Sequence, residues 1–270
     1  MKYFDPAHDR LIQINQQATA AFWDQKWRDD DIGLYDPVAV HPFIALTRAF
    51  LPAGAQILEG GCGTAGKVAA LQDAGYRVTG VDFAPQTVAR VLAARPEFNI
   101  QVGDVFELPF PDAHFDGYWS FGVIEHFWTG YEGILQEARR VLRPGGLLFL
   151  TFPSLSTLRR LKVRLGIYPK RDTSQERPDG FYQFLLNPER VGQTLIDAGF
   201  QPRHVCRIQA SHGFKQELPR LWRTTRIIAS GLHAGINRQC ADFIERTLAH
   251  HAGHLSLIAA QRTAAAPCQL

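Results

Sequence analysis

The tightest constraint on this chain lies in one ten-residue stretch, Ile57-Leu58-Glu59-Gly60-Gly61-Cys62-Gly63-Thr64-Ala65-Gly66. An apolar pair opens a short strand, glycines follow, and the helix-like run Lys67–Ala74 begins at once. A strand that passes through glycines into a helix must reverse sharply, and residues without a Cβ allow it. The same turn lets a ligand approach the main chain and leaves the first N–H groups of the helix facing it. A glycine pattern alone is weak evidence, but here a strand precedes it and a helix follows.

Downstream, strand and helix patterns alternate. Arg77–Val81, Asn99–Val102, Phe115–Ser120 and Leu147–Phe152 read as strands, with Gln86–Ala94 and Gly130–Leu142 as helices between them. Arg143-Pro144-Gly145-Gly146 is a strong breaker after the second helix. Asn187 and Pro188 start a later helix as N-cap and first residue, which ends at Gly199, and Val205–Gln209 and Leu255–Ala260 read as two late strands. This order predicts an α/β, Rossmann-like parallel sheet with a late antiparallel strand, helices on both faces and helical cap insertions. The spacing of Leu11, Ile14, Ala18, Ala21 and Phe22 predicts a helix over 8–27. The expected division is an N-terminal helical lid at 1–44, a core at 45–153, 187–209 and 254–262, and caps at 154–186 and 210–253.

A chain of 270 residues, 46% hydrophobic and 20% charged, can bury a sizeable core. Its four cysteines are scattered without metal-ligand spacing, so no metal is expected and free thiols in a reducing compartment are. The polar N-terminus does not read as a secretory signal, and no run approaches the ~20 apolar residues of a membrane span. The expected location is the cytoplasm. A net charge of +3 argues against a dedicated nucleic-acid binder.

Two acids follow the glycine turn. Asp82 ends Val78-Thr79-Gly80-Val81-Asp82, 21 positions after Gly61, close to the spacing of a ribose-binding carboxylate. Asp104, in Val102-Gly103-Asp104-Val105, ends the third strand, where an acid can accept from an exocyclic adenine amine. Glu59 at the mouth of the turn suits a ligand with a cationic amino-acid end better than a pyrophosphate. Cys62 reads as a small turn filler, since nothing nearby resembles a base for it.

Taken together, ILEGGCGTAG, VTGVDFA, VGDVFELPFPDAHFDGYWSFGVIEHF and EARRVLRPGGLLFLTFP resemble the class I S-adenosylmethionine-dependent methyltransferases over about Gly54–Pro153, with a weaker echo to Arg262. The resemblance implies S-adenosylmethionine as cofactor. It places Gly61 and Gly63 by the methionine part, Asp82 by the ribose, Asp104 and Val105 by the adenine, and Ser120 with Phe121 at the floor, with Glu59, Cys62 and Phe83 as further cofactor-binding candidates. The family reads acid-x-Gly-x-Gly-x-Gly, whereas Ala65 stands at the last glycine with Gly66 beside it. Direct methyl displacement follows, with oxygen the preferred acceptor atom in a small-molecule or lipid-like acceptor. The alternatives are a dinucleotide-dependent oxidoreductase and a catalytically silent cofactor-binding module.

On the acceptor side, Glu125 and His126 follow the fourth strand, at the sheet end where ligands bind in such folds. His126 either takes a proton from an acceptor hydroxyl or, with Glu125, only packs the loop. Trp23 and Trp27 share a helical face, as a lid over the sulfonium or acceptor or as an anchor for the first helix. Tyr182 and Gln183 are candidate acceptor contacts. Residues 151–232 hold 14 Lys/Arg against 6 Asp/Glu. Within them, the basic helices over Thr157–Leu165 and Leu218–Leu232 either touch an anionic membrane surface or cap the core with their arginines in water. Their positive field could also guide an anionic acceptor.

Overall fold

The computed structural model describes residues 1–171, 176–223, 247–249 and 251–264. Seven strands form the main sheet: β3 (Gln56–Gly60), β4 (Arg77–Asp82), β5 (Asn99–Val102), β6 (Phe115–Phe121), β7 (Leu142–Pro153), β9 (Phe200–Ile208) and β10 (Leu255–Arg262). Their order is β5-β4-β3-β6-β7-β10-β9. The first five run parallel, and β10 lies antiparallel between β7 and β9. The expected α/β class and its late antiparallel strand are both present.

The composition of β7 shows why the sheet needs cover on two faces. Every residue from Leu147 to Phe152 is buried, as expected for a central strand of a parallel sheet. Successive side chains point to opposite faces. Leu148, Leu150 and Phe152 join one apolar cluster, with Tyr118 and α5 (Glu132–Val141). Leu147 and Phe149 join the other, with Trp119, α3 (Gly66–Asp73) and α4 (Pro85–Ala94). Helix α2 (Pro37–Phe50) also seals the second face, through Val40 and Ile44. This helix spans residue 45, the expected start of the core.

The predicted helix over 8–27 is not formed. Instead β1 (Lys2–Asp5) and β2 (Arg10–Ile14) make a hairpin, and only Ala20–Lys26 is helical, as α1. β2 pairs with β8 (Phe181–Leu185), giving a second sheet of order β1-β2-β8. The partner strand lies some 170 residues away in sequence, so local periodicity could not reveal it. Leu11 and Ile12 are both fully buried because this small sheet has two covered faces. Ile12 looks into the main core, and Leu11 packs with Leu155, Tyr168 and Leu185. The 1–44 lid is thus part strand, and the 154–186 cap contributes a strand to it. Helix α7 (Pro188–Asp197) is capped by Asn187 as expected.

Helix α6 (Thr157–Arg164) departs from the expectation of arginines in water. Arg159 is 1% exposed, whereas Leu161 and Leu165 are 51% and 66% exposed. Arg159 turns inward because Glu217, at the end of α8 (Ala210–Glu217), lies buried beneath it, 2.9 Å from its Nε. Lys2 and Lys162 reach the same carboxylate, each at 2.7 Å, and the Tyr168 hydroxyl donates to it. One carboxylate so ties β1, α6 and α8 together. The second basic stripe, Leu218–Leu232, falls mostly outside the described residues, as do Cys240 and Cys268.

Burial pushes the Glu217 carboxyl up, but Lys2, Arg159 and Lys162 outweigh it and hold the group well below the usual carboxylate range. A depressed carboxylate contributes stability above its unfolded pKa, near 4.3, and loses it as pH falls. Glu217→Gln should cost about 3–5 kcal/mol at neutral pH by stranding buried cations. It should also flatten the stability–pH curve below about pH 4, both read by denaturant unfolding across pH.

Candidate active site

The parallel strands β3, β4 and β6 end on one edge of the sheet, and the chain reversals there build the site. Gly61 has φ +76°, and a Cβ on it would lie 2.6 Å from Val123 Cγ2. Gly63 has φ +50° and faces the ring of Trp27. The N–H groups of Gly61 and Cys62 both donate to the Val81 carbonyl. Gly63 N–H donates to Asp82 Oδ2 at 2.8 Å, and Ala84 N–H to Asp82 Oδ1 at 2.9 Å. Asp82 thus fastens the glycine turn to the end of β4. Burial raises the Asp82 pKa, opposed by the Ala84 and Gly63 N–H groups. Ala65 adopts φ +63° at the N-cap of α3 and is fully buried, so it takes the backbone conformation of a glycine without facing a ligand.

A cavity of about 990 Å³ opens from this turn. It is lined by Gly61, Cys62, Gly63, Asp82, Phe83, Asp104 and Val105 at one end. Glu125, His126, Trp23, Trp27, Tyr182 and Gln183 line its continuation. Two candidates lie outside it. Ser120 is 1% exposed with an unpartnered hydroxyl, while its neighbour Phe121 reaches the wall, because adjacent strand residues face opposite ways. Glu59 lies behind the turn, 1% exposed, with Lys67 Nζ at 3.5 Å and no hydrogen-bond partner for either oxygen. Its burial raises the pKa to about 7, against the pull of Lys67. The Cys62 thiol is pushed up by burial and abuts Gly80, in keeping with a turn filler.

Aromatic rings form the roof. Trp23 and Trp27 stack with centroids 5.5 Å apart, and Trp23 meets His126 edge-on at 5.1 Å. Tyr182 lies 5.1 Å from His126. Helix α1 carries the tryptophans and has no fully buried residue. It is held by polar bonds instead: Asp24 accepts from the N–H and hydroxyl of Thr87, and Arg90 donates to the Trp27 carbonyl at 2.7 Å. The helix thus holds Trp23, with Trp27 at its C-cap, in the cavity wall.

The two groups after β6 are driven apart. Burial raises the Glu125 carboxyl to about 8, and its Oε2 has no partner. Burial lowers the His126 imidazole to about 4, although the Tyr182 carbonyl opposes this from 2.8 Å. A neutral ring beside a carbonyl donates through Nδ1, leaving the Nε2 lone pair free. Sequence reasoning missed Lys26, Arg177, Gln216 and His254 in the same wall. His254 had no local signature, since only the antiparallel insertion of β10 brings it there.

Residues 58–150 match the methyltransferase-domain family model. A probable S-adenosylmethionine-dependent methyltransferase of Mycolicibacterium smegmatis is 36% identical over 161 residues, covering 60% of this chain and 58% of that protein. Residues 58–150 thus form a methyltransferase domain, similar to that of S-adenosylmethionine-dependent methyltransferases. The malonyl-[acyl-carrier protein] O-methyltransferase of Serratia marcescens is 31% identical over 108 residues, 40% of this chain and 42% of that one. The chain spans about half the length of the curated relatives it matches. In fold, it resembles the Burkholderia thailandensis 1,6-didemethyltoxoflavin-N1-methyltransferase, solved with 1,6-didemethyltoxoflavin and S-adenosylhomocysteine. The TM-score is 0.57 at 18% identity, covering 97% of this chain and 99% of that one.

The residues of the methyltransferase domain suit the family's cofactor. At Gly63 an added Cβ would touch the Trp27 ring at 3.4 Å, so the left-handed φ of +50° is what favours glycine there and keeps the turn's main chain bare. Phe83 is 40% exposed at the cavity wall, an unusual exposure for a phenyl ring. No described helix is long and apolar enough to cross a membrane. Gly61→Ala should cost about 1–3 kcal/mol, from its left-handed φ and the Val123 contact together; thermal unfolding of the variant measures it.

Proposed function

We propose that the protein transfers the methyl group of S-adenosylmethionine to an oxygen of a small or lipid-like acceptor. The observation that carries this reading is the single cavity joining the glycine turn, Asp82 and Asp104 to Glu125, His126 and Tyr182. In this reading the main chain of Gly61–Gly63 borders the methionine part and Asp82 accepts from the ribose hydroxyls. Asp104, Val105 and Phe83 take the adenine. Glu59 stays behind the turn and acts on the ligand's ammonium end only through it. The bound cofactor supplies an electrophilic sulfonium methyl. Trp23 and Trp27 offer ring faces to that cation and close the space above it to water.

For an acceptor hydroxyl, Glu125 is a better base than His126. A carboxylate with its pKa raised to about 8 holds a proton far more firmly than an imidazole lowered to about 4. His126 is left to orient: its Nδ1–H is fixed on the Tyr182 carbonyl and its ring supports Trp23. Most of the rate in such a displacement comes from alignment of acceptor and methyl, worth up to ~7–11 kcal/mol in well-ordered systems. The choice of oxygen is supported by the O-methyltransferase named among the relatives and by a carboxylate base in the wall.

S-adenosylhomocysteine should bind by isothermal titration and raise the melting temperature, and NAD should do neither. Asp82→Asn should weaken that binding about tenfold or more, from lost charge-assisted hydrogen bonds. Failure to bind the nucleoside would end the methyltransferase reading. With an acceptor in hand, turnover should climb with pH towards about 8 as Glu125 loses its proton, then level off. Glu125→Gln should lose about 10²–10⁴-fold in kcat and the pH limb with it. His126→Ala should lose less and keep the limb.

A further inference from the structure

Beyond Glu125 and His126 the cavity runs on past Pro153, at the end of β7, to His254 and Leu255, at the start of β10. Counted across the sheet, β10 lies two strand spacings from β6, or about 10 Å. Three cations, Lys2, Arg159 and Lys162, crowd behind this far end around the one carboxylate of Glu217. Among the described residues no second acid touches them. Buried charge left uncompensated is costly, so this end of the molecule favours a negative visitor.

Arg159 also decides what the wall can offer. Its Nη2 donates to His254 Nδ1 at 2.9 Å and to Gln216 Oε1 at 3.1 Å. Its remaining donors go to Glu217, the Ser154 carbonyl and the His254 carbonyl. A histidine that accepts at Nδ1 and stays neutral carries its proton on Nε2. Burial, with the charges of Arg159, His212 and Lys2, lowers this imidazole to about 3 and keeps it neutral. A glutamine that accepts at Oε1 turns its NH₂ outward. That group bonds His212 at 2.9 Å with one hydrogen and has another to give. Both amphoteric residues are thus set as donors. Pro153 and Leu255, paired across β7 and β10 beside His254, give this end apolar surface that suits a hydrocarbon or ring body.

We infer that this far end is an anion subsite: His254 and Gln216, backed by the Arg159 guanidinium, receive a carboxylate or phosphate carried by the acceptor, about 10 Å from the atom that is methylated. The location relative to the methylated atom rests on the methyltransferase reading; the subsite itself does not. The acceptor class is therefore an amphiphilic acid, with an apolar body and a charged end that is not itself the reacting group.

The full-length protein, saturated with S-adenosylhomocysteine, can be titrated with octanoate, octyl phosphate and octanol while tryptophan fluorescence is followed, since Trp23 and Trp27 line the cavity. At least one anion should bind about tenfold or more tighter than the alcohol, the worth of one charge-assisted hydrogen bond. The preferred anion tells carboxylate from phosphate. His254→Phe and Gln216→Leu should each cut that preference severalfold while leaving S-adenosylhomocysteine affinity as it was. Equal binding of all three by the unmodified protein overturns the subsite without need of any variant. So does a preference untouched by both substitutions. Loss of S-adenosylhomocysteine binding with the anion preference kept would instead strike the methyltransferase reading alone.

Discussion

The two hydrogen bonds that Asp82 accepts from the Gly63 and Ala84 N–H groups hold the rest of the site in place. Without them the reversal after β3 would leave main-chain donors buried and unpaired, which costs about 1–3 kcal/mol for each group. With them, the ends of β3 and β4 are locked at one height. Phe83, Asp104 and Val105 then fall on one side of the turn and the β6 loop on the other. A carboxylate already committed to the backbone in this way is also pre-oriented for further donors, because each oxygen keeps a lone pair in reserve.

The main sheet was legible in the sequence for a plain reason: each of its parallel strands is a short apolar run closed by glycine, acid or proline, and each crossover helix is local. Glu59, Asp82 and Asp104 all stand at strand ends, so their spacing carried their placement. The small sheet was not legible. Its strands β2 and β8 are joined only by long-range pairing, and Leu11, Ile14 and Ala18 mimic a helical stripe across a strand, a loop and a helix. The far wall of the cavity failed for the same reason. His254 and Gln216 are unremarkable by composition and become donors only through Arg159, more than 50 residues from either in the chain.

Helix α6 shows how charge can invert an amphipathic pattern. Read as a periodicity, its leucines belong inside and its arginines outside. A buried glutamate changes the balance, since an arginine can satisfy a carboxylate with two or more directed bonds and still serve nearby carbonyls. Once Arg159 is committed inward, the geometry of a short helix carries Leu161 and Leu165 outward. The exposed leucines are thus a consequence of the ion cluster and not an independent signal for a membrane.

Burial acts in opposite directions on neighbouring groups, and this separates their roles. Glu125 and His126 are adjacent, both enclosed, and desolvation disfavours the charged form of each. The acid therefore holds its proton near neutrality and the imidazole stays neutral throughout. Free pKa values suggested the reverse, with the histidine poised as base. A sulfonium is itself a cation, and in the proposed reading a neutral His126 does not repel it. The cationic cluster lies two strands further on, at the end of the cavity where a negative group on the acceptor would offset it.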